Sequence, residues 1–114
     1  MICNRGDVIL VRYPNSDLTT YKRRPTLVIQ ADGLDTGLSQ KIVAMITSNV
    51  GRNGSTRVFV EKNSLLGKQM GILSDSVIIA DNLSTIHERE IDKVIGRCGE
   101  ISAVDQSLRC ALSL

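Results

Sequence analysis

Short apolar runs separated by turn residues recur along the whole chain. Most runs are four to six residues long and rich in Val, Ile and Leu, which is typical of β-strands. Residues 51–54, with glycine at both ends, predict a turn after which the next strand pairs with the preceding one. The predicted strands are 8–13, 25–30, 42–47, 57–60, 75–80 and 83–87, with 94–96 as a further candidate.

The segments between these strands are predicted turns and loops. Residues 14–24 are polar and basic, and we predict one loop here because Pro14 ends the first strand. Pro25 suits the first position of the second strand, where no N–H is needed. Glycines predict a turn at 33–37 and flank a further loop at 67–71.

The end of the chain has a different pattern. Ser102 is a predicted helix N-cap, with Asp105 three residues later. Apolar residues then recur at helical spacing, at Val104, Leu108, Ala111 and Leu112. Many short strands and one terminal helix predict a mainly β protein, a small and strongly curved barrel with a C-terminal helix. A length of 114 residues predicts a single domain spanning 1–114.

Composition and charge narrow the possible functions only slightly. Tyr13, Tyr21 and Phe59 are the only aromatic residues, which argues against nucleic-acid binding by rows of stacked aromatic rings. Residues 1–70 hold ten Lys/Arg against five Asp/Glu, whereas residues 71–114 hold four against seven. A basic surface from the first part could attract a polyanion. On charge alone, an uneven scatter over a solvated surface is the favoured interpretation.

Several other classes of protein are disfavoured by the sequence. Cys3, Cys98 and Cys110 have no C-x-x-C spacing and His87 is the only histidine, so no zinc site is predicted. No secretory signal and no apolar stretch of membrane-spanning length is found. We therefore expect a cytoplasmic protein that does not interact with a membrane.

Four segments, in order, resemble the MazF/PemK family of toxin endoribonucleases. They are RGDVILV (5–11), RRPTLVI (23–29), IVAMITSN (42–49) and DSVIIAD (75–81), the last followed by LSTI (83–86) and IG (95–96). The resemblance covers nearly the whole chain. It implies an SH3-like barrel of the CcdB/MazF type and a homodimer. It also implies sequence-specific cleavage of single-stranded RNA at short sequences, in a groove across the dimer and without a metal or other cofactor. It also implies a cognate antitoxin whose extended tail folds across that groove.

The resemblance assigns catalysis to Arg24 and Thr47. A guanidinium suits stabilisation of a phosphorane-like transition state because its planar donors match two phosphate oxygens. Pro25 biases Arg24 toward an extended backbone. The Thr47 hydroxyl could orient the attacking 2′-hydroxyl or donate to a phosphate oxygen. Alternatively, Arg24 is a solvated basic residue and Thr47 serves strand propensity.

Further residues are candidates for substrate contacts. Asp75 lies near the place where some family members pair an arginine with an aspartate, but the arginine is missing here, and a bond to turn amides is the favoured role. His87, the only histidine, is the obvious residue type for a general acid or base, yet it matches no family site, and a surface or interface role is favoured. The loop 14–24 either covers the groove or is an ordinary connection. The candidate substrate-binding residues are Asp17, Thr19, Thr20, Lys22, Arg23, Ser48, Asn49 and Asp75.

Two other functions remain open on the sequence. One is a toxin on the same fold that blocks a protein target, as CcdB-like gyrase poisons do. The residues Arg24 and Thr47 argue against it, as does a C-terminal stretch that fits a helix face. The other is a nucleic-acid-binding barrel without catalysis, which the low aromatic content and mild charge disfavour.

Overall fold

Six strands and two helices make up the described part of the chain, residues 3–15 and 17–114 of the computed structural model. They are β1 (Asp7–Pro14), β2 (Tyr21–Val28), β3 (Gln40–Thr47), β4 (Arg57–Val60), α1 (Leu65–Met70), β5 (Ser76–His87), β6 (Ile91–Arg97) and α2 (Ile101–Leu112). The strands form one antiparallel sheet in the spatial order β4–β5–β3–β2–β1–β6. A single 3-10 turn, Glu88–Glu90, links β5 to β6.

Helix α1 joins the two edges of this sheet. It follows the edge strand β4 and packs against the other edge strand, β6. The backbones touch, since a Cβ added at Gly96 of β6 would lie 2.4 Å from the carbonyl oxygen of Gln69. The helix thus closes the curved sheet, which confirms the predicted mainly β barrel with a C-terminal helix.

Both faces of the sheet bury apolar side chains. Successive residues of a strand point to opposite faces, so an unbroken apolar run contributes side chains to both. One cluster, the helix-side core, includes Val8, Leu27, Ala44, Ile46, Ile78, Met70, Val104 and Leu108. The other cluster, the far-side core, consists of Cys3, Ile9, Val11, Val28, Val43, Ile86 and Ile91. The buried face of α2 therefore includes Val104 and Leu108 of the predicted set, whereas Leu112 is exposed.

The prediction of one loop over residues 14–24 is wrong. The strand β2 begins at Tyr21, and its first residues pair with β1 from Pro14↔Tyr21 to Leu10↔Pro25. Pro25 therefore lies inside a strand. It is tolerated because pairing with β3 begins only at Thr26, so no bond to β3 is lost at the proline.

The predicted pairing of 57–60 with 42–47 is also wrong. The strand β5 lies between β3 and β4 and pairs with both. Nine residues connect β3 to β4, and this length lets the chain step over one strand position. The two strands predicted at 75–80 and 83–87 form one strand, β5, with a bulge in the middle.

Two helix predictions also need correction. The expected loop at 67–71 contains most of α1, which begins after the Ser64 N-cap and ends at Gly71 with a φ of 72°. Sequence reasoning missed it because the helix has only six residues. Ser102 does not cap α2. The N-cap is Glu100, which makes no side-chain capping bond.

Thr26 gives the first testable prediction. Its hydroxyl is fully buried and has no hydrogen-bond partner among residues 3–15 and 17–114. A buried hydroxyl without a hydrogen-bond partner has lost its bonds to water and gained none in return, which destabilises the fold. Thr26→Val should therefore raise the free energy of unfolding by about 1 kcal/mol. Urea denaturation measures the change. The control is Thr85→Val on the exposed surface of β5, and equal effects of the two substitutions would contradict the explanation.

Candidate active site

A gap opens in the sheet where β2 and β3 stop pairing. Their register ends at Thr26↔Met45. Beyond this point, residues 21–25 pair with β1 and residues 46–47 pair with β5, but not with each other in the described structure. We call the space between these two segments the strand gap. The strand gap lies between the two strands at the middle of the sheet order.

Two cavities meet at the strand gap. Cavity A has a volume of about 550 Å³ and includes Leu10, Pro25, Ile72, Ser74 and Lys93 in its wall. Cavity B has a volume of about 680 Å³ and includes Tyr13, Asn15, Met45, Ile79 and Asn82. The residues that line both are Lys22, Arg24, Ile46 and Thr47.

Arg24 and Thr47 therefore line the same two cavities from opposite sides of the gap. Alternation along β2 places Arg24 on the face of Val28, and alternation along β3 places Thr47 on the face of Val43. Val28 and Val43 both belong to the far-side core. Both candidate catalytic side chains thus extend from the same face of the sheet.

The sequence profile of one family spans this whole arrangement. The family is described as PemK-like, MazF-like toxin of type II toxin–antitoxin systems, and its profile matches residues 4–111. The chain belongs to this family. A search of curated proteins finds no match for this PemK-family chain.

Solved structures show the same fold. A mycobacterial endoribonuclease in complex with its cognate antitoxin aligns over 99% of this PemK-family chain and 97% of its own, with 19% identity and a TM-score of 0.74. The Mycobacterium tuberculosis toxin MazF-mt6 aligns over 95% and 97%, with 24% identity and a TM-score of 0.74. The Deinococcus radiodurans MazE–MazF structure aligns over 100% and 98%, with 15% identity and a TM-score of 0.73. At these identities the likeness shows the fold alone.

The charged side chains that line the two cavities are all cationic. They are Lys22, Arg23, Arg24 and Lys93. Among the described residues, no Asp, Glu or His lines either cavity. Arg23 is partly neutralised by Asp92, whose oxygen lies 3.5 Å from its Nε. Arg24 forms no ion pair within 3–15 and 17–114, so its guanidinium is available to an anionic ligand.

The Thr47 hydroxyl accepts one backbone hydrogen bond and can still donate its own proton. Its Oγ1 accepts a hydrogen bond from the Asn49 backbone N–H at 3.1 Å. Because a hydroxyl has one proton and two lone pairs, this contact uses a lone pair only. The Thr47 hydroxyl can therefore donate its proton into the strand gap. Ser48 lines cavity A beside it, while the Asn49 side chain accepts from the Gly51 N–H at 3.2 Å.

The predicted contacts in the β1–β2 loop lie outside both cavities. The Asp17 carboxylate accepts bonds from the backbone N–H groups of Thr19 and Thr20, at 2.9 and 3.1 Å, and from the Thr20 hydroxyl. These bonds lower the pKa of Asp17 below its ordinary value. The structure thus shows Asp17, Thr19 and Thr20 holding the loop together and does not bring them to Arg24.

Asp75 and His87 also have structural partners away from the gap. The Asp75 carboxylate accepts from the Lys62 backbone N–H at 3.0 Å and so fixes the turn before α1. His87 Nδ1 accepts from the Arg89 N–H at 3.1 Å, at the end of β5. Neither residue lines cavity A or cavity B.

The cysteines offer no nucleophile to the gap. Burial raises the pKa of the Cys3 and Cys98 thiols, which favours the unreactive protonated form. The exposed Cys110 donates to the Ser55 hydroxyl at 3.1 Å on the far end of α2. No group of three or more His, Cys, Asp or Glu side chains within the described residues is placed to hold a metal ion. Within the same residues, neither helix is long and apolar enough to cross a membrane.

Sequence reasoning missed several residues of the two cavities. Tyr13, Asn82 and Lys93 come from β1, β5 and β6, and no local pattern joins them. The alternation of β1 indicates that Tyr13 shares a face with Val11, but the sequence does not reveal that β2 and β3 separate nearby. Only the strand order brings these side chains to the same gap.

Proposed function

We propose that this chain is the toxin of a type II toxin–antitoxin pair and cleaves single-stranded RNA, including mRNA, without a metal ion. The observation that carries the proposal is the shared position of Arg24 and Thr47 on the two sides of the strand gap. Membership of the PemK/MazF family supports the toxin role. The description of a structural neighbour as an endoribonuclease supports the reaction.

The reaction uses the substrate's own 2′-hydroxyl as the nucleophile. Its oxygen forms a bond to the adjacent phosphorus, and the bond from phosphorus to the 5′-oxygen breaks. The products are a 2′,3′-cyclic phosphate on one fragment and a 5′-hydroxyl on the other. The protein has to hold the attacking and leaving oxygens in line and to stabilise the extra negative charge of the transition state.

Arg24 and Thr47 suit the second of these requirements. The guanidinium of Arg24 can donate two parallel bonds to non-bridging phosphate oxygens. The Thr47 hydroxyl, already oriented by the Asn49 N–H, can donate to the phosphate or to the departing 5′-oxygen. Lys22 lines both cavities and adds positive potential for the phosphates on either side. The lining offers no carboxylate or imidazole, so we assign catalysis to charge stabilisation and alignment, with the 2′-proton passing to water.

The partners follow from the family and the surface. We propose a cognate antitoxin that occupies the strand gap, because a cationic cleft is suited to an acidic segment and neighbours are described in complexes with antitoxins. We also propose a homodimer in the cytoplasm. The edge strands β4 and β6 expose Phe59 and Val94, which gives a second copy apolar surface to cover.

Incubation of the purified protein with a long synthetic RNA tests this function. We expect discrete fragments ending in a 2′,3′-cyclic phosphate and a 5′-hydroxyl, with yields unchanged by EDTA. Mass spectrometry of the fragments identifies both ends.

The matched control is the same RNA with one 2′-deoxynucleotide at a mapped cleavage site. That site should survive while the others are cut, because the nucleophile is missing there. Cleavage at the deoxy position, or loss of all cleavage with EDTA, would contradict the mechanism. RNA that stays intact at every protein concentration would contradict the nuclease function itself.

A further inference from the structure

Cavity B contains a carboxamide, that of Asn82, which has no hydrogen-bond partner within residues 3–15 and 17–114. Three consecutive residues of β5, 80–82, have no opposite residue on β3, because the register steps from Met45↔Ile79 to Ala44↔Leu83. This is a β-bulge, a feature that changes the direction of side chains and occurs often beside active sites. Asn82 is the last residue of the bulge.

The other two bulge residues have structural roles. Ala80 is buried, and its N–H donates to the Thr56 carbonyl at 2.8 Å. An oxygen of Asp81 lies 3.8 Å from Arg57, and its carboxylate also accepts from the Thr56 hydroxyl at 3.4 Å. By contrast, the Asn82 side chain makes no hydrogen bond to any residue in 3–15 or 17–114, although it lines cavity B. Its amide is therefore available to a ligand.

The remaining lining of cavity B complements this amide. Tyr13 presents a half-exposed ring, and Met45 and Ile79 supply apolar surface. The amide of Asn15, also in the lining, is occupied because it donates to the Thr20 hydroxyl at 2.8 Å. Cavity B thus combines one aromatic ring, an apolar floor and one free carboxamide beside Arg24 and Thr47.

This combination is suited to a single nucleobase. A carboxamide has a donor and an acceptor side by side, and the edge of an unpaired base presents the same pair in complementary order. A base can also stack on a tyrosine ring, whatever its identity. Phosphate groups would bind the cations of the gap instead, so the two parts of a nucleotide have separate places.

We propose that cavity B binds the base next to the scissile phosphate, with its ring against Tyr13 and its edge on Asn82, and so sets the sequence preference at that position. This inference rests on the proposed ribonuclease function. Asn82 is a specificity-determining residue in this arrangement, whereas Arg24 and Thr47 act on the phosphate. The bulge in β5 is the backbone feature that places the amide there.

The experiment maps cleavage sites in a randomised RNA library for the wild type and three variants. Asn82→Ala should weaken the preference at one position next to the cut and leave the other positions unchanged. Tyr13→Leu should lower kcat/KM about tenfold, the size of one lost base-stacking contact. Tyr13→Phe, which keeps the ring, should stay within about twofold of the wild type.

Asn63→Ala, on an exposed turn outside both cavities, is the matched control and should cut with the wild-type preference. Asn82 is exposed, so its variant tests the inference even if Tyr13→Leu folds poorly. An Asn82→Ala protein with the full wild-type preference would overturn the inference while leaving the ribonuclease intact. A wild type that cuts nothing in the library would instead overturn the proposed function.

Discussion

Replacement of Arg24 by alanine is expected to reduce RNA cleavage by about 10²- to 10³-fold. This is the usual effect of removing one group that stabilises charge in a transition state. The single-turnover rate on a saturating RNA should fall by this factor, because the guanidinium acts on the phosphate only as charge develops. The fold should be unaffected, because Arg24 is exposed and forms no ion pair with the described residues.

The control for this prediction is Arg12→Ala. It removes the same charge from an exposed position on the neighbouring strand β1, outside cavities A and B. Its cleavage rate should stay within about threefold of the wild type, since Arg12 lines a separate cavity beside Lys22 and Arg23 and contributes only positive potential to the cleft. Arg24→Lys should fall between the two, because an ammonium keeps the charge without the two-pronged contact. Equal rates for Arg24→Ala and Arg12→Ala would contradict the assigned role.

Much of the fold could be predicted because its determinants are local. Continuous runs of apolar, largely β-branched residues specify β1 and β3, and helical spacing with Val104 and Leu108 inward specifies α2. The errors come from long-range pairing. Residues 51–60 do not reveal that β5 will lie between β3 and β4. The entropic cost of closing a loop grows only slowly with its length, so the sequence permits either a tight turn or a connection that passes over one strand.

In the candidate site too, some residues could be identified from the sequence and the roles of others could not. The family resemblance gives Arg24 and Thr47, and the structure brings them to one gap. Asp17, a candidate substrate contact, uses its carboxylate to bind backbone N–H groups of its own loop. Asp75 accepts from the Lys62 N–H, in agreement with the amide-binding role favoured from the sequence. Acidic side chains in turns commonly bond to local amides, and this preference is stronger evidence than their position beside a binding segment.

The second large effect is expected from Gly96, which lines neither cavity A nor cavity B. A Cβ at this position would be 2.4 Å from the carbonyl carbon of Met70 and 2.4 Å from the carbonyl oxygens of Gln69 and Met70. These are backbone atoms, so no side-chain rotation relieves the overlap. Helix α1 would have to move away from β6, and Met70, which is fully buried in the helix-side core, would move with it.

Gly96→Ala should therefore lower the free energy of unfolding by about 3 kcal/mol, at the upper end for overpacking a close contact. Urea denaturation followed by circular dichroism measures the change. Gly51→Ala is the matched control, since its added Cβ meets only the Asn49 side chain at 3.3 Å in an exposed loop. Its effect should stay within about 0.5 kcal/mol. Because α1 leads directly into Gly71 and Ile72 of cavity A, a displaced helix also alters one wall of the cleft. If Gly96→Ala were as stable as Gly51→Ala, the close contact between α1 and β6 could not be what closes the barrel.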